Sequence, residues 1–149
     1  MLLFKKLILD KLFFLAFIAA PAYWAFLLYF GQWHWFKSSI DWPLILLVVI
    51  AYPVVEELCF RGFLQEQLLT RAFARRQCLQ ITIANILCSL GFVALHAIYH
   101  TWAFALMVFI PSVVFGFFRD RYHSVIPGII LHSWYNSGTF WFLSLWQLF

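Results

Sequence analysis

The sequence predicts an all-α protein: a polytopic transmembrane helix bundle of about five spans with its N-terminus in the cytoplasm. Three observations predict it. The 149 residues are 65% hydrophobic and only 11% charged, against roughly 45–50% and about 25% in ordinary globular chains. The charged residues leave long uncharged runs between them. The basic residues of the short connections, Lys37 excepted, fall on one side of such a bundle. A water-soluble fold of this size leaves too much area wet to hide so much apolar surface, and a chain this apolar is not disordered.

Each span follows from the uncharged runs. Leu12–Phe36, Trp42–Val55, Gln77–Phe118 and Tyr122–Phe149 lack Asp, Glu, Lys and Arg. A span needs about 20 residues, so Gln77–Phe118 holds two, with a bend at Ala97–Thr101. Trp42–Val55 continues into a segment carrying Glu56, Glu57 and Arg61. The expected helices are about 9–30, 42–68, 78–98, 102–118 and 126–147. They form one membrane domain over 1–149, with 1–36 as an N-terminal anchor and 42–147 as the core. Lys5 and Lys6 before an apolar run suggest a signal sequence, but the run outlasts a typical h-region and reads as a retained anchor. We find no internal repeat and no low-complexity tract.

Orientation follows from Lys and Arg. Lys5, Lys6, Lys11, Arg71, Arg75, Arg76, Arg119 and Arg121 share one side; only Lys37 is opposite. The net charge of +4 is therefore an orientation bias, and the expected partner is the lipid bilayer, not nucleic acid. The setting is the cell inner (plasma) membrane, with several passes. Cys59, Cys78 and Cys88 are odd in number and lack metal-type spacing, so no disulfide framework is expected.

The informative residues are polar groups inside the apolar spans. Glu56, Glu57 and Arg61 would cost about 8–10 kcal/mol in lipid as isolated charges, and ten nearby Leu, Ile and Val return only about 3–6. The segment must be paired or face a wet interior. Glu57 and Arg61 are spaced i, i+4 with the acid first, the favourable order for an ion pair. Glu56 points about 100° away, which leaves it as the free carboxyl and a candidate general base. Pro53 frees a backbone carbonyl one turn earlier and bends or widens the helix. Asn85, Ser89, Phe92 and His96 share one face of the third helix. The fifth carries His132 and Asn136 at i, i+4, with Pro127 near its start. Asn85, Ser89, Ser133, Ser137 and Thr139 read as helix-packing groups. His34 and His123 read as solvated, Cys59 as a small core residue, and His100 as lying near a turn. The Trp and Phe residues read as bulk or interface anchors.

Three motifs then stand in order: Glu56-Glu57-Leu-Cys-Phe-Arg61, Phe92-Val-Ala-Leu-His96 and His132-Ser-Trp-Tyr-Asn136. These EExxxR, FxxxH and HxxxN patterns resemble the CAAX-protease and bacteriocin-processing family of membrane glutamic peptidases. The likeness runs from about 42 to 147 and is similar to small bacterial members that act on C-terminal sorting signals. The resemblance implies an intramembrane endopeptidase cutting near the C-terminus of a membrane-anchored protein or peptide. Glu56 and His96 would hold and deprotonate a water, and His132 and Asn136 would donate to the oxyanion. Glu57, Arg61 and Phe92 would be support, with no cofactor and no metal.

Other readings of the same residues remain. Two His and one Glu with water are a catalytic zinc set, although the HExxH helix is absent. A non-enzymatic immunity or assembly partner and an ion-coupled transporter also place ionisable groups in spans. One expectation conflicts with the helix boundaries. With the third helix at 78–98, His96 falls near its outer end, whereas Glu56 and His132 lie about two-thirds of the way to the cytoplasmic face.

Overall fold

The computed structural model describes residues 2–30 and 42–142. His34, Lys37 and the 143–147 end of the expected fifth span lie outside the described residues, as does the side chain of Thr139. Seven helices are described: α1 (Leu2–Leu9), α2 (Lys11–Phe30), α3 (Trp42–Leu69), α4 (Ile83–Tyr99), α5 (Trp102–Met107), α6 (Phe109–Tyr122) and α7 (Ile126–Phe142). A two-stranded antiparallel hairpin, β1 (Gln77–Cys78) and β2 (Ile81–Thr82), precedes α4. The class is all-α, as expected. Among the described residues, α3 and the run Trp102–Tyr122 are long and apolar enough to cross a membrane; Lys11–Ala25 and Ile83–Tyr99 are apolar but shorter.

Two local features depart from the expected boundaries, and one expected feature is present. Asp10 interrupts the first helix and its carboxylate accepts from Leu12 N at 2.9 Å, the geometry of an N-cap. The third helix starts at Ile83 instead of 78, because residues 77–82 form the hairpin. Its tight turn holds Leu79 and Gln80 at φ 51° and 66°, a conformation that non-glycine residues seldom adopt. Thr82 ends the hairpin and caps α4, its Oγ1 accepting from Asn85 N at 3.0 Å. The expected bend at Ala97–Thr101 is real: α4 ends at Tyr99, and Thr101 caps α5.

Helix α3 is widened twice, over Leu47–Ala51 and Leu58–Leu64, by turns of the i to i+5 kind. Tyr52 N–H bonds to Leu47 O, and Gln65 N–H to Phe60 O.

The described chain divides into two compact units. Residues up to Pro53 and from Ile130 onward form one; Val54–Ile129 form the other. In the first, α2 packs on the later turns of α7 through aromatic side chains. Phe17 stacks on Trp134 with ring centres 4.6 Å apart. Trp24 Nε1 donates to Tyr135 O at 3.1 Å, Trp134 Nε1 to Phe17 O at 2.9 Å, and the Tyr135 hydroxyl to Ala16 O at 3.0 Å. Indole and phenol groups this deep need such acceptors, so Trp24 and Trp134 are packing residues and not interface anchors.

In the second unit, α4 and α6 pack on the second half of α3. Ala84, Cys88, Phe92, Phe115 and Phe118 are buried there with a set of polar side chains. Asn85 Nδ2 donates to Val113 O at 2.9 Å, and Ser89 Oγ to Asn85 Oδ1 at 3.2 Å. Asn85 thus ties α4 to α6 inside an apolar setting, while the Ser89 hydroxyl bonds within α4 and supports the Asn85 amide. Gly116 allows this closeness, since a Cβ there would collide with the Asn85 side chain.

Candidate active site

The second unit assembles the first two motifs. The ion pair expected from the Glu57 and Arg61 spacing is formed: Arg61 Nη1 lies 3.0 Å from Glu57 Oε1, and both side chains are fully buried. Arg61 Nη2 also donates to Ser112 O at 2.9 Å and Ser112 Oγ at 2.6 Å. Ser112 thus satisfies one arm of the guanidinium, as a buried charge pair needs, while Arg61 Nε has no hydrogen-bond partner among the described residues. The guanidinium lies against the Phe92 ring, 4.7 Å from its centre, within the range of a cation–π contact.

One turn beyond Phe92 stands His96. The two rings are 4.3 Å apart. His96 Nδ1 is 2.9 Å from Phe92 O. A carbonyl can only accept, so Nδ1 carries the proton and Nε2 of the neutral ring keeps its lone pair. His100 stacks on the other side at 5.5 Å, and Phe104 of α5 lies 6.5 Å from His96 and 4.9 Å from His100.

Helix α4 runs antiparallel to this part of α3. Gln65 and Asn85 both border Gly116. Cys88 Sγ donates to Phe60 O at 3.0 Å. Phe92 meets Phe60 and Arg61. Moving forward on α4 from Asn85 to Phe92 thus moves back on α3 from Gln65 to Phe60 and Arg61. Glu56 itself is half-buried.

The third motif lies in the first unit. His132 is buried, 5% exposed. Asn136 is half-buried and its Nδ2 donates to Val48 O at 3.1 Å.

Sequence reasoning missed the polar partners that extend from Arg61 along α3 and α6. Gln65 Nε2 donates to Gly116 O at 3.1 Å and to Asp120 Oδ1 at 2.8 Å. Asp120 Oδ2 accepts from Thr82 Oγ1 at 2.7 Å. Arg119 pairs with Asp120 at 3.0 Å and also with Glu66. With Ser112, these residues form a polar spine through α3, α4 and α6. A usable signal exists: 57, 61 and 65 on one helix, and 112, 116 and 120 on another, each step by four.

Residues 37–138 match the type II CAAX prenyl endopeptidase Rce1-like family. The match covers more than half of the chain, so the chain belongs to this family of membrane-embedded CAAX-type proteases. It confirms the family resemblance drawn from the three motifs. Neither a curated protein nor a solved structure matches the chain.

Proposed function

We propose that this protein is an intramembrane endopeptidase that hydrolyses a peptide bond near the C-terminus of a membrane-anchored protein, through a water activated by Glu56 and His96. The observation that supports this reading is the contact of Phe92 with both motifs: its ring lies over the Arg61 guanidinium on α3 and 4.3 Å from His96 on α4. Arg61 engages Glu57, which gives Glu57 a structural part, and Glu56 is assigned the part of general base. Glu56 and His96 Nε2 take the water's proton as its oxygen attacks the scissile carbonyl. His132 and Asn136 donate to the resulting oxyanion, and the proton passes to the departing amine. Each oxyanion donor of this kind contributes about 10²–10³ in kcat. Glu57, Arg61 and Phe92 hold the shape of α3 and the placing of His96. The chain crosses the plasma membrane about five times with its N-terminus cytoplasmic, on the strength of its basic connections.

The test is mass spectrometry of membranes expressing the wild-type chain, Glu56→Gln or His96→Ala. New C-terminal fragments should accumulate with wild type only. Fragments produced equally by both variants, at normal protein level, would overturn the glutamate–histidine mechanism.

A further inference from the structure

The Asn136 amide is bonded to a backbone carbonyl inside another helix, an acceptor that a regular helix keeps for itself. Two features of α3 leave that carbonyl open. In an α-helix Val48 O would take the N–H of Tyr52, but the widened turn sends that N–H to Leu47 O instead. In the wider turn the next donor would be the nitrogen of residue 53. Residue 53 is proline, which has no N–H. Val48 O is therefore left without a donor from its own helix, and an unmatched carbonyl in an apolar setting is costly. Asn136 Nδ2 fills it at 3.1 Å.

We propose that Pro53 is a positioning residue for Asn136: by removing one backbone donor it reserves the Val48 carbonyl for the Asn136 amide and fixes the direction of that amide. One N–H of the NH2 group is then committed to Val48, and the other is held in a defined direction for an acceptor from substrate. A side-chain amide otherwise rotates broadly about its terminal torsion, so the tether removes a freedom that a donor to an oxyanion must not have. The inference rests on the proposed catalytic part of Asn136.

The experiment restores the missing donor and then removes it by different chemistry. Pro53→Ala returns an N–H that competes for Val48 O. Replacing Pro53 with lactic acid, which makes a backbone ester, leaves the position without an N–H and without the ring. Turnover is read on a quenched-fluorescence peptide ending in a prenylated CAAX sequence, with hydrogen exchange of the ¹⁵N-labelled Asn136 side-chain amide followed by NMR. Pro53→Ala should lower kcat about tenfold to a hundredfold with KM unchanged and speed exchange of the Asn136 amide, while the ester variant keeps both near wild type. Equal losses in the alanine and ester variants would overturn the proposal, because the ring would then be what matters. Full kcat in Pro53→Ala beside a loss in Asn136→Ala would also overturn it. Faster amide exchange in Pro53→Ala, with kcat unaffected there and in Asn136→Ala, would uphold the tether and instead refute the catalytic part given to Asn136.

Discussion

The Arg61 guanidinium lies 4.7 Å from the centre of the Phe92 ring, and this contact joins the first motif to the second. It gives the phenylalanine of FxxxH a physical task. Phe92 spreads one face over a buried cation and sets its other neighbour, His96, at 4.3 Å. Phe92→Leu keeps most of the apolar volume and loses the ring. It should destabilise the protein by about 1–2 kcal/mol through the lost cation–π contact, and Phe92→Ala by about 3–5. Thermal unfolding in detergent measures both. A leucine variant as stable as wild type would show that only volume matters at this position.

Arg61→Ala leaves the Glu57 carboxylate and both Ser112 acceptors without their cation. Breaking a buried pair by removing one partner costs about 3–5 kcal/mol, so protein level should fall together with activity. Arg61→Lys should recover little, because a single ammonium cannot reproduce a fork that reaches Glu57 and Ser112 at once. Quantitative immunoblotting of membranes checks this. Normal abundance with abolished turnover would give Arg61 a direct part in the chemistry.

The first turn of α7 touches the same carboxylate. A Cβ on Gly128 would stand 2.6 Å from Glu57 Oε2, too close for any side chain without movement. Gly128→Ala should therefore displace the Glu57 head group and strain its pair with Arg61. Glu57→Asp is shorter by one methylene and makes room. The double variant Gly128→Ala, Glu57→Asp should be more stable than the sum of its single effects, by about 0.5–3 kcal/mol in a double-mutant cycle. Strict additivity of the melting data would separate the two residues.

The parts of the site legible in the sequence were those with a sharp local signal. An acid and a base four residues apart in an apolar run have one economical arrangement, and Glu57 and Arg61 adopt it. The hairpin was not legible. Gln77-Cys78-Leu79-Gln80-Ile81-Thr82 carries no charge and no glycine, so it reads as the start of a span, although Leu79 and Gln80 turn at positive φ. The third helix therefore begins five residues later than the sequence suggests, while its end at Tyr99 lies one residue from the expected 98. Gln65 and Ser112 were passed over because uncharged polar residues in spans usually pack helices. Asp120, between Arg119 and Arg121, read as part of a solvated connection. It is instead joined to Gln65 and Thr82. Only the surrounding helices reveal such partners, since none lies within one helix turn in sequence.

His100 supplies a prediction in pH. It sits at the end of α4 with Thr101 leading into α5, and its ring stacks on His96 at 5.5 Å. Burial pushes its pKa below the ordinary 6.5, since desolvation disfavours the imidazolium. The folded protein therefore takes up this proton less readily than the unfolded chain. Stability from this source is full above about pH 6.5 and is lost as the pH falls below it, where only the unfolded chain gains the proton. His100→Phe keeps a ring against His96 and Phe104 and removes the titration. The difference in thermal midpoint between wild type and His100→Phe should thus shift against wild type between about pH 7.5 and pH 5. Carboxylates elsewhere contribute equally to both proteins and cancel in the difference. A difference that stays constant over this range would mean that the His100 ring is no harder to protonate in the fold than outside it.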